Sequence, residues 1–252
     1  MRVAPPMASS SFPVLDPQAV HVWFCELSGY AGCQASFAEQ LSEDERARAA
    51  RFAFDRDRRR FILSHGLLRL VLSRYLHIGA GEIRFIAGPH GKPALLGSPD
   101  ALGGIRFSLS HSGDYAMIAV ARGREIGVDV EVRKPDLDCL TLAERFFAPA
   151  ESQAIATLQG IAQQRRFYDF WTAKEAYLKG RGVGLSLGLD RFEILFDARS
   201  SGARVRLTES GSLEQGWHIQ TLSLPDHLAG AVAVAGDDWT VLRCDPAACG
   251  LS

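Results

Sequence analysis

The sequence predicts an α+β fold built from two similar halves, 1–122 and 123–252, with their boundary near residues 120–125. Two long segments, 55–76 and 164–182, carry apolar residues at helical spacing. Each opens with arginines followed by phenylalanine, "RRRF" at 58–61 and "RRF" at 165–167. Around both lie short runs rich in β-branched and aromatic residues, the signature of strands. Helices and strands do not alternate as regular βαβ units, so antiparallel sheets are expected rather than one parallel sheet. The 252 residues suffice for one large domain or two of ordinary size.

Taken in order, "AVHVWFCEL" (19–27) reads as a strand. "LSEDERARAARF" (41–52) places Glu45 three residues after Ser42, a capping-box signal for a helix start. In 55–76, Phe61, Leu67, Leu68, Val71, Leu72, Tyr75 and Leu76 form one apolar stripe. "FIAGPHGKPAL" (85–95) is rich in turn formers. "IRFSLSHSGDYAMIAVAR" (105–122) reads as two strands around "HSGD", and "REIGVDVEV" (124–132) as another strand. "LAERFFAPAESQAIATL" (142–158) reads as helices broken at Pro149. The helix of 164–182 is expected to end at Gly180 or Gly182. Strands follow at 191–196, 203–207, 217–224, 229–235 and 239–244, with "GDD" between the last two predicting a hairpin.

Composition excludes several classes. Apolar residues make up 47% and charged residues 23%, which is ordinary for a globular chain able to bury a core. The net charge of −1 gives no global attraction to nucleic acid, so any charged partner must be met by a local patch. No apolar stretch reaches membrane-span length, and residues 1–18 lack the apolar core of a signal peptide. Five cysteines, Cys25, Cys33, Cys139, Cys244 and Cys249, fit no zinc spacing and read as reduced thiols of a cytoplasmic protein.

In "GVDVEV" (127–132), Asp129 and Glu131 are two apart and share one face of the strand, while Val128, Val130 and Val132 take the other. Two like charges so close are either solvated or share a cation. In "WTAKEAYLK" (171–179), Trp171, Glu175 and Lys179 fall on one helix face, and Lys174 lies about 100° around from Glu175. A wet acidic strand and an ordinary i,i+4 ion pair are the plainer readings. Three carboxylates suffice for Mg²⁺, which completes its shell with waters and phosphates. Lysines beside them would meet those phosphates as point charges. Ser110 and His111 in "SLSHSG", and Gly91, Lys92 and Pro93 in "GPHGKP", also suit an anionic, nucleotide-like ligand.

"FSLSHSG", "GVDVE", "FF…E" and "FWTAKEAYLKGRGVGL", in this order and at these separations, resemble the 4′-phosphopantetheinyl transferases, in particular the surfactin-synthetase-activating type. The resemblance runs from about Arg51 to Phe196. It implies a pseudo-twofold monomer with the active site at the interface of its halves. The implied reaction moves the phosphopantetheine arm of coenzyme A to a serine of an apo acyl or peptidyl carrier protein, releasing adenosine 3′,5′-bisphosphate. By resemblance Asp129, Glu131 and Glu175 bind Mg²⁺, and Lys174 and Lys179 contact the phosphates. His111, beside Ser110, meets a CoA phosphate; Lys92 and Pro93 lie along the adenine and ribose; Arg60, and more weakly Arg48, reach the 3′-phosphate. Glu175 is the expected base, acting directly or through a water, with Lys179 as its catalytic companion. An acidic carrier would meet a patch of Arg145, Arg165 and Arg166 near Phe146, Phe147 and Phe167. Trp171 is read as a packing residue, and His65 has no role. The rivals are a Mg²⁺-dependent CoA or nucleotide phosphohydrolase and a nucleic-acid binder using "RDRRRF" (56–61), the latter disfavoured by an isoelectric point near 6.7.

Overall fold

The structure, a computed structural model, describes residues 12–88, 90–97, 103–246 and 250. In chain order its elements are β1 (Ala19–Glu26), α1 (Gln34–Gln40), α2 (Glu43–Ala50), α3 (Asp55–Leu76), β2 (Phe85–Ala87), β3 (Pro93–Leu95), β4 (Ile105–Ser112), β5 (Tyr115–Arg122) and β6 (Ile126–Val132). Then come α4 (Cys139–Phe146), α5 (Pro149–Ala156), α6 (Gly160–Arg181), β7 (Phe192–Phe196), β8 (Gly202–Leu207), β9 (Leu213–Thr221), β10 (Leu228–Ala235) and β11 (Thr240–Cys244). They form two compact units interleaved in sequence. One holds residues up to 87, 93–123 and 240 onward; the other holds 88–92 and 124–239.

The N-terminal unit is built on a four-stranded sheet of order β11-β1-β5-β4. Its core gathers Trp23 from β1, Ile118 and Val120 from β5, and the apolar stripe of α3, including Phe61, Leu67, Leu68, Val71 and Leu72. The capping box forms as expected: Ser42 Oγ accepts from Glu45 N, and Ser42 N donates to Glu45 Oε2 at 2.8 Å. Glu45 also meets the fully buried Arg69. The turn-rich stretch 85–95 contains a small antiparallel pair, β2 with β3.

The C-terminal unit is a five-stranded antiparallel sheet of order β6-β10-β9-β8-β7, with α6 packed on it. Phe147, Phe167, Tyr177, Phe192, Val205, Ile219 and Ala231 fill its core. Pro149 sits in the first turn of α5, where its missing N–H costs no hydrogen bond. Helix α6 ends at Gly182, whose φ of 65° suits a residue without Cβ.

The expected hairpin between 229–235 and 239–244 is absent. β10 is paired on both sides, with β6 and β9, so it offers β11 no edge. β11 instead runs parallel to β1. The "GDD" turn serves as a connection, closed by Trp239 Nε1 donating to Gly236 O at 3.0 Å. No disulfide joins the described cysteines; Cys249 lies outside the described residues. Among the described residues no helix is long and apolar enough to cross a membrane.

Candidate active site

Strand β6 and helix α6 meet backbone to backbone. A Cβ on Gly127 would stand 2.0 Å from Ala176 O and 2.2 Å from Gly180 N, so only glycine permits this approach. Gly180 is constrained from the other side, where a Cβ would meet the Trp217 ring at 2.5 Å. Asp129 and Glu131 share the Gly127 face of the strand and therefore point toward α6.

Asp129 is 2% exposed, which excludes the wet acidic face for this residue. Lys179 Nζ donates to its Oδ1 at 2.6 Å. The ion pair of Lys179 thus runs to the strand acid, not to Glu175 four residues back. Glu175 Oε1 is buried with no hydrogen-bond partner among the described residues. Burial, then Asp129, lift the Glu175 carboxyl from its ordinary 4.5 to about 7, with Lys179 opposing and Glu131 adding to the rise. Glu175 therefore feels both strand acids as well as the Lys179 ammonium.

Whether the three acids suit a divalent cation follows from these facts. They are hard oxygen donors, and one of them, Glu175, carries a buried oxygen with no hydrogen-bond partner among the described residues, as a hard cation would use. Among the described residues no three His, Cys, Asp or Glu side chains stand as a preformed cage. Mg²⁺ does not demand one, since it keeps several waters and takes few protein ligands. The donor set fits.

Lys174 departs from the expectation. It is fully buried: its Nζ pairs with Glu151 Oε2 at 2.7 Å and donates to Leu189 O at 2.7 Å and Phe192 O at 2.5 Å. With all three donors used inside the protein, it is an internal counter-ion rather than a phosphate contact. Burial pushes Glu151 up and Lys174 down, while their pairing opposes both shifts. Glu151 is the acid of the "FF…E" stretch quoted for the resemblance, which gave it no role; its Oε2 caps the Ala148 N–H at 3.1 Å.

Lys92 also turns inward, donating to Gly180 O at 2.9 Å, Ile126 O at 3.0 Å and Glu125 Oε2 at 3.2 Å. It ties the end of α6 to the start of β6. Trp171 packs as expected, stacked on Phe167 with centroids 5.8 Å apart. The expected carrier patch is thinner than its sequence: Phe147 and Phe167 are core residues, and only Phe146 is exposed, under Arg145. Arg165 pairs with Asp226 at 3.2 Å, while Arg166 covers Phe170 and Phe196.

In the N-terminal unit, Arg60 Nε donates to Asp114 Oδ1 at 2.7 Å. Arg48 stands 5.3 Å from the Phe61 centroid, and His65 stacks on Phe61 at 3.8 Å. His65 Nδ1 lies 3.1 Å from the Phe61 carbonyl and 3.3 Å from Ser64 Oγ. Burial, with His111 reinforcing it, lowers His65 to about 4, so it is neutral at pH 7. His65 thus lies in the electrostatic neighbourhood of Arg48 and His111. Ser110 is buried on β4, His111 next to it is exposed, and Pro93 is exposed in β3.

A family model described as the 4′-phosphopantetheinyl transferase superfamily matches residues 125–233, and one described as 4′-phosphopantetheinyl transferase, N-terminal, matches 33–123. The 4′-phosphopantetheinyl transferase HetI of Nostoc sp. is 38% identical over 222 residues, 87% of this chain and 89% of its own. The chain belongs to the 4′-phosphopantetheinyl transferase family. Among its relatives, the Sfp transferase of Bacillus subtilis is 35% identical over 63% of this chain and 67% of its own. The phosphopantetheinyl transferase of Thraustochytrium sp. is 31% identical over 86% and 79%. The stretches "GVDVE" and "WTAKEAYLK", on which the resemblance rested, are brought together by the close approach of β6 and α6 at Gly127.

Proposed function

We propose that this transferase moves the 4′-phosphopantetheine arm of coenzyme A to a serine hydroxyl of an apo carrier protein, releasing adenosine 3′,5′-bisphosphate, as a cytoplasmic monomer. The observation that carries this reading is the β6–α6 cluster: Asp129 buried against Lys179, with Glu175 titrating near neutrality beside them. Phosphoryl transfer asks for charge neutralisation and in-line positioning more than for covalent help. Asp129, Glu131 and Glu175 would hold Mg²⁺, which when bound neutralises charge on the diphosphate. Lys179, whose side chain is 31% exposed, would share its ammonium between Asp129 and a phosphate. Glu175 is the group assigned to take the proton of the carrier serine, directly or through a water. Arg48, Arg60, Ser110, His111 and Pro93 are assigned to CoA binding, while Lys92, bonded to Gly180 O, Ile126 O and Glu125, is kept as an internal tie.

The test is the intact mass of an apo carrier protein after incubation with enzyme, CoA and Mg²⁺, beside reactions containing EDTA or Glu175→Gln. Gain of one phosphopantetheine, lost in both controls, is expected. CoA consumed with the carrier unmodified would make the chain a phosphohydrolase.

A further inference from the structure

Helix α6 presents Glu175 and Lys179 to β6, and its other side is held by a buried ionic network whose chemistry the proposed reaction does not use. Glu151 is 3% exposed and Lys174 is 0% exposed. Glu151 Oε1 accepts from Ile194 N at 2.8 Å; its Oε2 accepts from Ala148 N and from Lys174. Lys174 adds its bonds to Leu189 O and Phe192 O. The network therefore joins α6 to the start of α5, to β7 and to the turn before β7.

A buried ion pair is a weak device for stability: an apolar pair of similar volume is often as stable or more so. What such a network supplies is direction. The three bonds on the Lys174 ammonium tie this side of α6 to Glu151, Leu189 and Phe192. Glu175 is the next residue, so any roll at Lys174 is passed to its carboxylate. For a carboxylate some 6 Å from a helix axis, a roll of about 10° moves it by about 1 Å. A misplacement of about 1 Å at a reacting group can lower a rate by about 10²-fold.

We propose that Glu151, acting through Lys174, is a positioning residue for Glu175. The buried pair sets the rotation of α6 so that Glu175 faces Asp129 and Glu131. This rests on the transferase reading for its kinetic consequence, but not for its geometry.

The test compares wild type with the double variant Glu151→Gln/Lys174→Met, which removes both charges, and with Glu151→Asp, which keeps both but shortens the tether. Thermal melts establish folding. Steady-state transfer separates kcat from KM for CoA. Binding of Mn²⁺ to the metal-free protein, followed by electron paramagnetic resonance, reports on the three acids without any turnover. Folded variants are expected to keep KM within about threefold, lose about 10²-fold in kcat, and bind Mn²⁺ about tenfold more weakly. A folded double variant with wild-type kcat and wild-type Mn²⁺ affinity overturns the proposal. Collapse of both variants also overturns it, because that outcome assigns the pair to stability alone. Wild-type protein that loads no carrier refutes the transferase reading instead, and the Mn²⁺ comparison then decides the positioning role by itself.

Discussion

Glu175→Gln should make the metal-free protein more stable at alkaline pH while abolishing transfer. Burial and the charge of Asp129 raise the Glu175 carboxyl from 4.5 to about 7. Each unit of such a shift corresponds to about 1.4 kcal/mol, so the whole displacement is worth about 3 kcal/mol. The folded state holds the proton more tightly than the unfolded chain. Stability from this group is therefore full below pH 4.5, falls as pH rises toward 7, and is lost above it. Glutamine keeps the shape without the titration. Urea unfolding in EDTA, at intervals from pH 5 to pH 8, reads the effect. Burial also raises Glu151 and Asp169, so the decisive quantity is the difference between the two proteins. Wild type is expected to lose about 2–3 kcal/mol more than the variant across that range. Mg²⁺ should restore much of the loss to wild type alone, since a cation bound only by the folded state stabilises it. Parallel pH profiles for the two proteins would refute the reasoning, because Glu175 would then not be held against its neighbours' charges.

Gly127→Ala places a methyl group 2.0 Å from Ala176 O and should cost more than about 3 kcal/mol, seen as a fall in Tm of roughly 10 °C. His111→Ala should raise KM for CoA about tenfold with little change in kcat, because the exposed imidazole is assigned to ligand binding; an unchanged KM in steady-state assays would remove it from the site. Arg165→Glu should raise KM for an acidic carrier severalfold and leave KM for CoA unchanged, with a smaller effect at high salt. Equal carrier KM for the two proteins at low salt would remove Arg165 from the docking face.

Features set by neighbours in sequence were legible before any coordinates. The capping box of Ser42 and Glu45, the stripe of α3 and the break at Pro149 each depend on residues a few positions apart. That "GVDVE" and "WTAKEAYLK" belong together was expected from their three carboxylates and then from the resemblance, and β6 and α6 do meet at Gly127 and Gly180. The periodicity correctly separates Lys174 from Glu175 around α6. It does not say which of them faces inward, because that is decided by Glu151, 23 residues away in the chain. His65 was passed over for the same reason: its neighbourhood with His111 depends on packing between α3 and β4. The misread hairpin is the clearest case. "GDD" signals a turn, but a turn becomes a hairpin only if the first strand keeps an open edge, and both edges of β10 are taken.

The parallel seat of β11 beside β1 carries a consequence for biosynthesis. β1 ends at Glu26, yet one of its two neighbours begins at Thr240. A ribosome must deliver more than two hundred further residues before that side of the strand is covered. During this interval the nascent N-terminal unit exposes a row of unpaired amides and carbonyls along Val20–Trp23, the kind of edge that recruits foreign strands. The C-terminal unit has its five strands complete once β10 is made, before β11 emerges. Order of synthesis and order of completion are thus reversed, and the half made first is the one finished last.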